Sequence, residues 1–147
     1  MNSIKLFTIG YTKRSAESFF TALKQAEIKL LIDIRLNNTS QLAGYTKKND
    51  FAFFLREICC SDYKHMPELA PTKDILDCYK AKQIDWKTYE LRFRQLLEDR
   101  NLIHLIERVN FDHACLLCAE PWPDKCHRRL VADYIKKHRF EVVIKHL

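Results

Sequence analysis

Lys29-Leu30-Leu31-Ile32-Asp33-Ile34 is a nearly unbroken apolar run. A strand with one wet face alternates apolar and polar residues. A run apolar at almost every position is instead the mark of a strand covered on both sides, as in a parallel sheet between layers of helices. Just upstream, Phe19, Phe20, Leu23 and Ala26 recur at the spacing of one buried helical stripe, with Ser15 placed to cap its start, which predicts a helix over 15–27. Before that, Ile4-Lys5-Leu6-Phe7-Thr8-Ile9-Gly10 alternates in part and stops at a glycine, and reads as a first strand with Gly10-Tyr11-Thr12 as its turn. Strand, helix, strand is a parallel crossover unit.

The last third repeats that order. A strand is predicted at 114–118, a helix at 126–138 and a strand at 140–146. Two crossover units in a short chain give an α/β protein, a three-layer α/β/α sandwich with a largely parallel, Rossmann-like central sheet. Between them the pattern is less regular. Residues 36–48 are polar and read as a loop. Asp50 is placed to cap a short helix with Phe51, Phe54, Leu55 and Ile58 facing inward, and a short strand is expected near Tyr63. Thr72 and Asp85 are caps for helices over 73–82 and from Trp86 onward, and 102–109 is a further helical piece.

The chain has 147 residues, 47% of them hydrophobic, which predicts a single domain over 1–147 with ample material for a core. No apolar run is long enough to span a bilayer and the N-terminus lacks the form of a signal peptide, so a cytoplasmic protein without a membrane partner is expected. In a reducing compartment its six cysteines read as thiols, metal ligands or catalytic groups before disulfides. The net charge of +6 leans toward an anionic partner.

Ligands of open parallel sheets bind beyond the carboxyl ends of the strands. That edge collects Gly10-Tyr11-Thr12, Asp33 and Arg35, Cys118 and Glu120, and His146, while Cys126, His127 and Arg128 open the helix that starts there. Arg35 has two readings, a fork for phosphate or carboxylate, or a partner for Asp33 or Glu120 that fixes its loop. Tyr11 and Thr12 are substrate-side candidates, although a turn threonine often bonds only nearby backbone. Cys126 at a helix start is either an activated nucleophile or a small buried thiol. His127 is an acid-base group or a structural donor, and Arg128 binds an anion or neutralises Glu120. Glu120 transfers protons if burial raises its pKa and is structural if an arginine lowers it.

Cys115, Cys118, Cys126 and His127 have the ligand types of a zinc site, but residues three apart in a strand face opposite ways and Leu116-Leu117 has no turn chemistry. Neither metal nor cofactor is therefore expected. No cysteine is followed six residues later by arginine, since Asp124 and Ala132 stand there, which argues against phosphatase or rhodanese chemistry. Glycine-rich nucleotide cradles are missing as well. Lys136-Lys137-His138-Arg139 ends a helix, where positive charge complements the dipole.

Thr8-Ile9-Gly10-Tyr11-Thr12, Asp33-Ile34-Arg35 with Ser40, the stretch from Tyr63 to Pro71, Leu117-Cys118-Ala119-Glu120 and Cys126-His127-Arg128 together resemble the domain-of-unknown-function family 488. The resemblance implies a compact α/β domain and brings no mechanism with it. Where many members carry Leu-Gly-Gly after the central tyrosine this chain has Leu69-Ala70-Pro71-Thr72, so its middle loop differs. The residues together lead to one expectation, an enzyme-like domain with an anion-recognising pocket for a nucleotide, a nucleic-acid end or another phosphorylated compound. In that pocket Arg35 and Arg128 bind, and Glu120, His127 and Cys126 do chemistry. The alternative is a non-catalytic nucleic-acid-binding module that uses Lys136, Lys137 and Arg139.

Overall fold

A computed structural model describes residues 3–39, 41–120 and 125–147. Met1, Asn2, Ser40 and residues 121–124 lie outside them. Five strands, β1 (Ile4–Gly10), β2 (Leu30–Asp33), β3 (Asp62–His65), β4 (Ala114–Cys118) and β5 (Val142–His146), form one sheet in the order β3-β2-β4-β1-β5. Every pairing is parallel. The helices are α1 (Ala16–Gln25), α2 (Lys48–Phe54), α3 (Lys73–Lys80), α4 (Trp86–Arg100), α5 (Ile103–Arg108) and α6 (His127–His138). Among the described residues no helix is long and apolar enough to cross a membrane.

The alternation of side chains along the strands builds two cores. Phe7, Ile9, Leu31, Cys115 and Leu117 pack with Phe19, Phe20 and Leu23 of α1 and Phe51 of α2. Leu6, Ile32, Leu116 and Cys118 point the other way, toward Phe93 and Leu97 of α4 and Leu130, Val131 and Ile135 of α6. The inner strands β1, β2 and β4 are thus covered on both faces, as the unbroken apolar run at β2 requires, while the edge strands β3 and β5 stay partly exposed. Caps start the helices where polar residues precede apolar stripes. Ser15 accepts from the Ser18 N–H at 3.0 Å, Thr72 from Ile75 at 3.3 Å and Asp85 from Thr88 at 2.8 Å.

Three local expectations are corrected. The helix expected from Asp50 is capped at Lys47, and Asp50 sits in its first turn. It runs into a π-helical turn, Leu55–Cys59, that closes on Cys60 in the left-handed region (φ 55°). The extra residue per turn rotates the stripe, so Leu55 is buried while Ile58 is exposed. The last strand starts at Val142, leaving Phe140 exposed. The 36–48 loop contains a 3₁₀ segment, Gln41–Thr46, broken at Gly44.

Strand order fixes where a ligand would sit. From β1 the chain moves through α1 to β2 and on to β3 at one edge, whereas from β4 it moves through α6 to β5 at the other. β1 and β4 are neighbours whose connections leave in opposite directions, each crossing past the other strand, and the carboxyl ends of this pair are where ligands of such sheets are sought.

Candidate functional site

Gly10 and Cys118 are register partners at the ends of β1 and β4. Beyond them the backbone of Glu120 crosses directly over Gly10. A Cβ on Gly10 would stand 1.6 Å from the Glu120 carbonyl oxygen and 2.4 Å from Arg128 Nη1. Glycine is required here for space. Arg128, in the first turn of α6, is fully buried, and its Nη1 donates to that carbonyl at 2.9 Å. Burial pulls its guanidinium down to about 10, with Arg14 pushing the same way and Cys115 and Glu120 opposing, so it stays charged at neutral pH.

Arg14 is the residue that sequence reasoning missed. The turn after β1 places Lys13 in the left-handed region (φ 62°), and Tyr45 ties the segment down by donating its hydroxyl to the carbonyls of Tyr11 at 3.1 Å and Arg14 at 3.0 Å. This brings Arg14 near enough to Arg128 for their charges to oppose each other. Arg14 Nη1 is buried with no acceptor among the described residues. The sequence signal was its place four residues past a strand-ending glycine, which carries no weight until the strand order is known.

Arg35 is engaged internally. Its Nε and Nη2 donate to Asp33 Oδ1 and Oδ2, Nη1 donates to Thr46 Oγ1 and Nη2 also to the Thr46 carbonyl, all at 2.7–2.8 Å. Tyr63 donates to Asp33 Oδ2 at 2.6 Å and accepts from Asn38 at 2.8 Å. Desolvation by itself would lower the Arg35 pKa, but the Asp33 carboxylate outweighs it and raises it above the ordinary value. Of the two readings of Arg35, this arrangement is the Asp33-paired one. Tyr11 lies with its ring 5.3 Å from the Arg35 guanidinium, and the Thr12 N–H donates to the Ala119 carbonyl at 3.0 Å, joining the β1 and β4 turns.

A third group gathers on the other side of the same helix start. The sulfurs of Cys118 and Cys126 are joined, with their Cα atoms 7.6 Å apart, and a ring nitrogen of His127 lies within 4.8 Å of both. Both cysteines are buried. His127 Nε2 sits 2.8 Å from the Ile34 carbonyl, which only accepts, so Nε2 carries the proton. Burial pushes the imidazole down to about 4, with Arg128 adding to the effect against Ile34 and Asp33, leaving it neutral. Cys115 belongs to the opposite core, as the strand geometry requires, and burial raises its pKa. Glu120 keeps its side chain exposed at the mouth.

The sequence model of a family described as domain of unknown function DUF488 matches residues 15–135. The chain belongs to this family. The match takes in Arg35, Glu120 and Cys126-His127-Arg128 and begins just after Arg14. No curated protein and no solved structure matches the chain.

The candidates therefore separate into neighbouring groups along one sheet edge. Arg128 and the Glu120 backbone lie over Gly10 with the Arg14 charge acting on Arg128, Arg35 and Tyr11 stack beside Asp33, and Cys126 and His127 face Cys118. His146 stands apart at β5, its Nδ1 2.5 Å from Thr8 Oγ1.

Proposed function

We propose that this DUF488 domain is an enzyme-like anion-binding protein whose ligand is a phosphorylated small molecule or nucleotide, held at the β1/β4 crevice by Arg14 and Arg128. The observation that carries the reading is the convergence of these two like charges, with Arg14 Nη1 buried and lacking an acceptor among the described residues. Two guanidiniums whose charges oppose each other in a partly desolvated place repel, and a phosphate bound at Arg14 relieves that repulsion while giving the buried Arg14 Nη1 its acceptor. Glu120 is exposed and serves this site through its backbone carbonyl, which accepts from Arg128 Nη1. Arg35 serves the pocket by fixing the Asp33 loop.

The nucleic-acid-binding module draws less support. Lys137 is paired with Glu98 at 2.9 Å, and Arg139 with Glu141 at 3.0 Å and the Val109 carbonyl at 3.2 Å, so part of the basic run is spent on holding α6 in place.

Calorimetric titration with inorganic phosphate, pyrophosphate and nucleoside mono- and diphosphates tests the proposal. At least one is expected to bind, and Arg14→Gln, at a half-buried site away from the core, is expected to weaken it at least tenfold with unfolding unchanged. Binding of none, or equal binding by Arg14→Gln and Arg128→Lys, sinks it.

A further inference from the structure

We infer that Cys118, Cys126 and His127 form a zinc site. Three soft or borderline donors, contributed by the last residue of β4 and by the N-cap and first residue of α6, lie within 4.8 Å of one another. Their backbone spacing suits a metal better than a direct bond. The Cα atoms of Cys118 and Cys126 are 7.6 Å apart. Disulfides are ordinarily built over about 4.4–6.8 Å. A zinc ion with Zn–S bonds of about 2.3 Å bridges a wider gap.

The histidine is prepared for the role. Its Nε2–H is committed to the Ile34 carbonyl at 2.8 Å and its ring stands edge-on to Phe93, centroids 5.7 Å apart. Nδ1 is then the nitrogen with a lone pair to give. A backbone carbonyl holding the far N–H is the usual outer-shell device that sets tautomer and direction at metal-bound histidines.

Charge also balances. Metal binding requires the Cys118–Cys126 bond to be opened first by exchange with a dithiol reductant, which leaves as its own disulfide. The two thiols then release their protons to solvent, and the two thiolates with a neutral imidazole cancel the dication in a site where Cys118 and Cys126 are 1% and 2% exposed. Cys126 at the N-cap of α6 gains further from the positive end of the helix. Cys115, which spacing alone would pair with Cys118, lies across the sheet and takes no part. Three protein donors leave one tetrahedral position for water or an exogenous ligand, the composition of catalytic zinc centres. This site is separate from the arginine crevice and stands or falls without it.

The full chain, produced in zinc-sufficient medium and purified under reducing conditions without chelator, is assayed for metal by plasma mass spectrometry and native mass spectrometry. Stoichiometric zinc is expected. Stripped protein titrated with cobalt(II) is expected to develop thiolate-to-metal charge-transfer and tetrahedral absorption, a readout on the unmutated chain that needs no variant to fold. Cys118→Ser and His127→Ala should lose the metal while Cys115→Ser and Cys78→Ser retain it. Protein that contains no zinc and takes up no cobalt overturns the inference. So does zinc retained by Cys118→Ser, or a Cys118–Cys126 disulfide found by peptide mapping of protein alkylated at lysis.

Discussion

Arg35 grips Asp33 two residues before it through a pair of parallel hydrogen bonds, Nε to Oδ1 at 2.8 Å and Nη2 to Oδ2 at 2.7 Å, with the carboxylate fully buried and the guanidinium nearly so. The Asp33 carboxylate also receives the Arg35 N–H at 3.1 Å and the Tyr63 hydroxyl. Removing the cation leaves a buried anion. Arg35→Ala is therefore expected to lose about 3–5 kcal/mol of stability, and Arg35→Lys, a point charge without the fork, to recover only part of it. The double variant Asp33→Asn/Arg35→Met should be less damaged than Arg35→Ala. Urea unfolding of the set measures this, and a double variant as destabilised as Arg35→Ala, or more so, refutes it.

Gly10→Ala probes the crossing of the two turns. The added methyl must displace the Glu120 backbone, since its ideal position is 1.6 Å from that carbonyl oxygen, and with it the acceptor of Arg128 Nη1. Overpacking of this kind costs about 1–3 kcal/mol. The expected signature is a lowered melting temperature together with weaker phosphate binding. A Gly10→Ala variant as stable as the parent would show that the Glu120 segment yields freely.

Local pattern carried most of the fold. The apolar runs at β2 and β4, the capped stripes of α1, α3 and α4, and the opposed faces of Cys115 and Cys118 all follow from neighbours a few residues apart. Strand order does not. Nothing near β4 says that it enters between β1 and β2, yet that insertion sets Gly10 beside Cys118 and brings Arg14 to Arg128. The π-helical turn at Leu55–Cys59 was equally hidden, because it lets Ile58 leave the stripe that a regular helix would keep buried. For the same reason the sequence left Arg35 open between a ligand fork and a partner for Asp33 or Glu120, and passed over Arg14.

Glu90 ties α4 to α6. It accepts from Arg129 at 3.0 Å and Arg94 at 3.3 Å, and Asp133 lies 3.6 Å from Arg129. Burial pushes the Glu90 carboxyl up, but the two guanidiniums outweigh it and hold the pKa below the ordinary 4.5. A carboxyl whose pKa is lower folded than unfolded stabilises the protein above the unfolded value, and loses that contribution as pH falls through the folded one. Glu90→Gln should thus cost about 0.5–1 kcal/mol at neutral pH, scaled down for its partial exposure, and nothing in acid below both values. Paired denaturation curves across pH check it, and a difference independent of pH would assign the effect to packing.

The salt dependence of anion binding separates a two-arginine crevice from a nucleic-acid surface. Each phosphate neutralised on a duplex releases counterions and steepens the fall of log affinity with log salt by about 0.9. A ligand held by Arg14 and Arg128 alone cannot engage more cations than these, so the slope for a nucleotide should be no steeper than about −2. Lengthening the ligand from a mononucleotide to an oligonucleotide should leave that slope nearly unchanged, and Lys136→Gln with Lys137→Gln should not alter it. Lys137 is already committed to Glu98 across the α4–α6 contact. A slope that grows with each added nucleotide, and that collapses in the double lysine variant, would instead place the anion surface along the end of α6.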